Sequence, residues 1–81
     1  MRVRLLAFAV AADRIGARET ALELAEGATV GDLRRAAVER WPELGDLAPR
    51  LAVAVDGAVA ADARAIAEGA EVALLPPVSG G

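Results

Sequence analysis

The chain closes with Pro76-Pro77-Val78-Ser79-Gly80-Gly81, and the distinctive chemical group of that segment is the α-carboxylate of Gly81. Glycines carry no side chain, so a Gly-Gly end can thread a channel too narrow for other residues and bring its carboxylate against a partner's backbone. Pro76 and Pro77 fix φ and donate no backbone hydrogen bond, so a strand must stop before them and the segment should leave it extended. Residues 76–81, at about 3.3 Å each, reach roughly 20 Å. Adenylated by a partner, the Gly81 carboxyl becomes an acyl electrophile. Attack by sulfur then gives a thiocarboxylate, which is a nucleophilic sulfur donor. A terminal Gly-Gly is also what a frayed end or a cut linker leaves, so its meaning depends on the elements that carry it.

Those elements offer little other chemistry. The 81 residues include no His, Cys or Tyr, and all nine basic residues are Arg, so Lys is absent. Thiol and serine–histidine nucleophiles, ordinary zinc sites, Schiff bases and the P-loop lysine are thereby excluded. No disulfide can staple the fold. Without Lys, no side-chain amine can accept a second copy's tail. The twelve carboxylates are scattered over turns and a helix surface, with no converging pair for acid–base work. The net charge of −3 disfavours nucleic acid. Arg2 with Arg4, and Arg34 with Arg35, read as solvated pairs, and Arg50 and Arg64 as surface charge. Alanine inflates the apolar fraction of 56%, as biased genome composition would. No apolar run of about 20 residues exists to span a membrane. The run 3–12 meets Asp13-Arg14 too soon for a signal peptide, so a cytoplasmic protein is expected.

The positioning elements are legible in outline. Arg2 to Ala9 alternates, with apolar residues in both sets (Val3, Leu5, Ala7 and Ala9 against Leu6 and Phe8), which predicts a central strand covered on both faces. Residues 10–17 read as a loop. Glu19–Leu24 alternates as a second strand, ended by Gly27. Thr29 and Asp32 form a variant capping box, followed by Leu33, Ala36, Ala37 and Trp41 at helical spacing. Pro42 ends that helix near Arg40 and leaves Trp41 to pack at its end. Leu51–Val55 is a third strand. Asp56-Gly57 signals a two-residue hairpin, with Ala58–Ala60 returning. Asp62–Ala67 suggests one helical or 3₁₀ turn, and Glu71–Leu75 the last strand. The order predicts an α+β fold, a mixed sheet with one main helix across one face. Residues 1–75 form the domain and 76–81 the extended tail.

This order resembles the β-grasp fold of ubiquitin-like proteins, and the residues sharpen the resemblance. Glu71-Val-Ala-Leu-Leu-Pro-Pro-Val-Ser-Gly-Gly81 looks like the C-terminus of the MoaD-type small subunits of molybdopterin synthase. Arg4-Leu-Leu-Ala-Phe-Ala9 resembles their first strand, Gly27-Ala-Thr-Val-Gly-Asp-Leu33 the start of their helix, and Leu51-Ala-Val-Ala-Val-Asp-Gly57 their third strand. The family usually has Asn at the position of Asp56 and Asp-Gly-Asp-Glu where this chain has Glu68-Gly69-Ala70-Glu71. Ala12 also departs from the pattern, although Asp13 keeps its acidic part. The likeness spans the whole chain and is most specific in the tail.

What the resemblance implies is a sulfur carrier. An E1-like adenylyltransferase would consume ATP to adenylate Gly81, and a sulfurtransferase would supply the sulfur of the thiocarboxylate. The tail would enter the large subunit of molybdopterin synthase, in a heterotetramer of two small and two large subunits. There the sulfur would pass to cyclic pyranopterin monophosphate to build the dithiolene. The chain itself would bind no cofactor or metal. Gly81 is the reacting position; Phe8, Val59, Leu75, Pro76, Pro77, Val78, Ser79 and Gly80 correspond to partner-binding positions, with ordinary core packing as the other account of Phe8, Val59 and Leu75. Carriers for thiamin, cysteine or tRNA thiolation share the Gly-Gly end, as do ubiquitin-like interaction or conjugation modules.

Overall fold

The structure is a computed structural model that describes residues 1–77. The chain runs β1 (Arg2–Ala7), α1 (Ala9–Ile15), β2 (Glu19–Glu23), α2 (Val30–Arg40), 3₁₀ turns at Pro42–Leu44 and Ala48–Arg50, β3 (Ala52–Val55), β4 (Ala58–Val59) and β5 (Glu71–Leu75). The strands form one mixed sheet in the order β2-β1-β5-β3-β4. β1 and β5 are parallel, and the other pairs are antiparallel. The last strand of the chain therefore lies in the middle of the sheet.

One face of the sheet is sealed. Val3, Leu5 and Ala7 of β1, Leu22 of β2, Val72 and Leu74 of β5 and Val53 and Val55 of β3 point inward. They meet Val30, Leu33 and Ala37 of α2, with Trp41, Leu44, Leu47, Leu51 and Ile66 closing the ends. The helix starts where its cap dictates. The Asp32 backbone N–H donates to the Thr29 hydroxyl, and the Thr29 N–H donates to the Asp32 carboxylate at 2.9 Å. Trp41 is buried beneath the helix end, before Pro42.

Four expectations are corrected. First, β1 is covered on one face only. Among the described residues no second layer covers the other, so Arg2, Arg4 and Leu6 look outward while Val3 and Leu5 are sealed. Second, residues 10–17 are not a loop, because α1 occupies most of them and the strand stops before Ala9. Ala11 enters the core, and Gly16 ends the helix at φ 85°, its N–H reaching the Ala12 carbonyl at 2.8 Å. Third, Asp62–Ala67 forms neither an α nor a 3₁₀ helix, only a reverse turn in which the Arg64 N–H reaches the Ala61 carbonyl at 3.0 Å. Its backbone is committed elsewhere: the Asp62 and Arg64 carbonyls accept from the Gly31 and Val30 N–H groups, two donors that a helix N-terminus leaves unpaired. Fourth, Arg34 is not a solvated charge. It donates to the carbonyls of Ala48 (2.7 Å) and Leu51 (2.5 Å) and to Asp62 (2.8 Å), clamping the segments that flank α2.

The Asp56-Gly57 turn joins β3 to β4 as its sequence suggests, with φ of 49° and 88°. Asp56 also accepts at 3.0 Å from the Glu71 N–H, which fastens the turn to the start of β5.

Candidate functional site

The strands that build the core also build the opposite, uncovered face, from alternate residues. Pairing fixes its rows. Leu6 of β1, Ala73 of β5, Ala54 of β3 and Val59 of β4 stand side by side. The next row is Leu75 beside Ala52. Phe8, whose extended backbone continues the β1 alternation, falls level with Leu75 one position beyond the Ala7–Leu74 pair. Toward the other end of the strands the row is Ala21, Arg4 and Glu71, followed by Arg2 paired with Glu23.

This face is divided in two. Its upper half is apolar: Phe8 is 48% exposed and Val59 70%, while Leu6, Ala73 and Leu75 are half-buried. Its lower half is ionic. The Arg4 guanidinium donates to Glu19 at 2.8 Å and to Glu71 at 3.2 Å, joining β2, β1 and β5. The hydrogen bond from Arg4, with its charge, holds the Glu19 carboxyl below the usual carboxylate range and raises the guanidinium in turn.

The chain leaves the sheet through the apolar half. Because β5 is the central strand, Leu75 stands inside the patch, and half-buried Pro76 and exposed Pro77 follow it. Of the positions singled out in the sequence, Phe8, Val59 and Leu75 thus share one face of the sheet, and Pro76 directly follows Leu75. Val78, Ser79, Gly80 and Gly81 lie outside the described residues. Leu6 and Ala73 complete the patch and went unread, although the parallel register of β1 with β5 places them in one row. Their signal was the even-numbered set Leu6 and Phe8 in a strand whose odd positions already filled the core. Among the described residues no three His, Cys, Asp or Glu side chains converge as a metal site. The arrangement is suited to docking rather than to acid–base chemistry.

The mixed sheet with α2 across one face and a C-terminal strand at its centre defines a ubiquitin-like β-grasp protein. The ThiS family model matches residues 5–81, and the chain belongs to the ThiS family. Its fold matches that of SAMP1 from Haloferax volcanii, a small archaeal modifier protein, with 36% identity over 100% of both chains and a TM-score of 0.85. It is also similar to a putative molybdopterin converting factor, subunit 1, from Pyrococcus furiosus. That match has 27% identity over 96% of this chain and 99% of the other, with a TM-score of 0.86. The fold recurs in a protein–protein complex of subunits 1 and 2 of molybdopterin-converting factor from Helicobacter pylori 26695, at 22% identity over 100% of both chains and a TM-score of 0.69.

Proposed function

We propose that the chain is the sulfur carrier of a molybdopterin synthase. The observation that carries this reading is the placement of an exposed apolar patch around the point where the central strand leads into Pro-Pro-Val-Ser-Gly-Gly. A partner that covers Phe8, Leu75 and Val59 necessarily receives whatever follows Pro77. In an E1-like adenylyltransferase, the Gly81 carboxylate attacks the α-phosphorus of ATP and pyrophosphate leaves. The outer sulfur of a sulfurtransferase persulfide then attacks the acyl carbon and AMP leaves; a second thiol cleaves the resulting acyl disulfide, releasing the thiocarboxylate and leaving a disulfide on the sulfur donor. In the large subunit, expected as a heterotetramer of two carriers and two large chains, that sulfur passes to cyclic pyranopterin monophosphate. The chain contributes the acyl group and the docking face, while the partners contribute acids, bases and ATP. The likeness to subunit 1 of a molybdopterin converting factor supports this assignment.

Co-expression with the activating enzyme and sulfurtransferase should exchange one oxygen of the chain for sulfur, read by intact-protein mass. Mixing that product with the large subunit and pterin precursor should give the dithiolene; a thiocarboxylate that yields none would sink the assignment to molybdopterin. Deleting Gly81 should abolish sulfur transfer and leave the thermal midpoint nearly unchanged.

The higher identity to a small archaeal modifier protein favours one second reading, in which the same carboxyl is joined to an amine of another protein. Conjugates of the chain with cellular proteins, with no dithiolene formed, would establish it.

A further inference from the structure

The two edges of the sheet are unlike. At one, β4 is two residues long. At the other, β2 runs for five residues, Glu19–Glu23, with no strand beyond it among the described residues. Its register with β1 fixes which backbone groups are open. The Ala7 N–H donates to the Arg18 carbonyl at 2.8 Å and the Leu24 N–H to the Met1 carbonyl at 2.7 Å, so the even-numbered residues of this stretch turn their polar groups toward β1. Glu19, Ala21 and Glu23 turn theirs away from it. Among the described residues, the N–H and C=O groups of these three meet no backbone partner. They are a ladder with room for one more strand.

The side chains decide which strand fits. Glu19, Ala21 and Glu23 are all exposed. Beneath the edge, Leu22 and the Ala36, Glu39 and Arg40 positions of α2 border a hollow of about 480 Å³. Around the edge, Glu19, Glu23, Glu39, Glu68 and Glu71 outnumber Arg2, Arg4 and Arg40, and Arg4 is divided between Glu19 and Glu71. A second copy is a poor occupant. Antiparallel pairing of two β2 edges uses all three outward residues only when centred on Ala21, and that register sets Glu19 of each copy opposite Glu23 of the other. Like charges directly opposite oppose pairing, whereas basic residues at those two places reverse the sign of both contacts.

We propose that the β2 edge is a docking site for an extended basic segment of another protein, added antiparallel to Glu19–Glu23. Basic side chains four residues apart lie against Glu23 and Glu19, and a small residue midway between them lies opposite Ala21. The two intervening side chains are aliphatic and point over the hollow beside Ala36. Because β2 is two strands from β5, the added segment leaves Leu75 and Val59 uncovered. The chain can therefore hold this partner while another covers the apolar patch. The site depends on neither the tail nor the sulfur chemistry proposed for it.

The test is a titration of the isotopically labelled full chain, followed by nuclear magnetic resonance, with the blocked peptide Arg-Val-Thr-Val-Arg. Thr-Val-Thr-Val-Thr and Glu-Val-Thr-Val-Glu are the controls. The basic peptide should shift the amide signals of Glu19, Ala21 and Glu23 and slow their hydrogen exchange. The neutral peptide should bind about fivefold more weakly, and the acidic one more weakly still. Glu19→Gln combined with Glu23→Gln should abolish the preference for the basic over the neutral peptide. Ala21→Pro removes an outward N–H and spares the β1 ladder, so binding should be lost from a chain that still folds. If that variant unfolds, hydrogen exchange in the wild-type chain decides the matter. Equal binding of the three peptides, or shifts confined to other strands, would overturn the proposal. So would the absence of binding at millimolar peptide, which would reduce Glu19 and Glu23 to guards against self-pairing. A wild-type homodimer joined through β2 would overturn it as well.

Discussion

The two faces of the sheet are built from the same strands and differ in everything that follows from being covered. On the inner face Leu5, Val72 and Leu74 are sealed beneath α2; one residue along, Leu6, Ala73 and Leu75 meet solvent in part, with Phe8 and Val59 more open still. Single apolar side chains on a surface are ordinary. Here they lie on β1, β5 and β4, in rows bridged by Ala54 of β3, around the end of β5, a cluster that supports the proposed docking face over scatter. The core is built from one parity of residues, and the proposed docking face from the other.

Substitutions at adjacent positions should separate the two roles most sharply. Leu74→Ala opens a cavity in the core beside Ala7 and Val53 and should cost about 3–4 kcal/mol, a large share of the stability of a domain this small. Phe8→Arg should move stability by no more than about 0.5 kcal/mol while weakening partner binding severely. Chemical denaturation and titration against the large subunit or the activating enzyme measure the two quantities. An unfolded Phe8→Arg chain would place Phe8 in the core and erase the distinction.

A smaller loss is expected on the helical side. Arg34 makes three hydrogen bonds there, and its side chain is only 18% exposed. Arg34→Ala leaves the Ala48 and Leu51 carbonyls to find water and should cost about 2 kcal/mol. Arg34→Lys should recover little of it, because one ammonium on a flexible stem does not reproduce the planar fork. Full rescue by Lys would reduce the clamp to simple charge.

Much of this division could be read from the sequence. The Thr29–Asp32 cap, the stop at Pro42, the Asp56-Gly57 turn and the alternation of Glu71–Leu75 are local rules, obeyed locally. What escaped depends on pairings between distant residues. The apolar residues on both sides of β1 suggested two covering layers; one side proved to be the uncovered face of the sheet, which alternation alone cannot tell from a buried one. Residues 62–67 have helical composition, yet their carbonyls serve the N-terminus of α2, some thirty residues earlier. Arg34 looked like any helix-surface arginine, since its three acceptors come from later segments. The helix α1 did leave local marks, an alanine run stopped by Gly16, but the alternating pattern ahead of it drew the strand too far.

Acid should affect both faces through different carboxylates. On the open face Glu19 is held low by its hydrogen bond from Arg4. On the helical side Asp32 is held low by the Thr29 backbone N–H and hydroxyl, with Arg35 adding to them, and Asp46 by its hydrogen bond from Arg14. Each folded-state value lies below the unfolded one. The stabilisation is therefore fully present above the ordinary carboxylate range and is lost as pH falls through the depressed folded values. The thermal midpoint should be flat above about pH 5 and decline below it. Glu19→Gln should make the decline shallower, and so should Thr29→Ala, which also costs about 1 kcal/mol at neutral pH by removing the cap. Added salt should mimic the loss more for the exposed Arg4–Glu19 pair than for the cap.

The smallest effect is expected at the junction of the two faces. Ala9 has φ of 51°, in the left-handed region that a Cβ disfavours, and it lies between exposed Phe8 and core residue Ala11. The turn there is what lets β1 end with Phe8 still facing outward while the next residues start α1 toward the core. Glycine would relieve about 1–2 kcal/mol of strain and lose part of that gain to the greater freedom of its unfolded chain. Ala9→Gly should therefore raise stability by about 0.5 kcal/mol, visible as a small upward shift in the denaturation midpoint. If the backbone geometry alone orients Phe8, partner affinity should stay within about twofold of wild type, because glycine adopts the same φ without distortion. A stabilised chain that binds its partner markedly less well would show that the alanine's stiffness, and not only its direction, holds Phe8 ready on the open face.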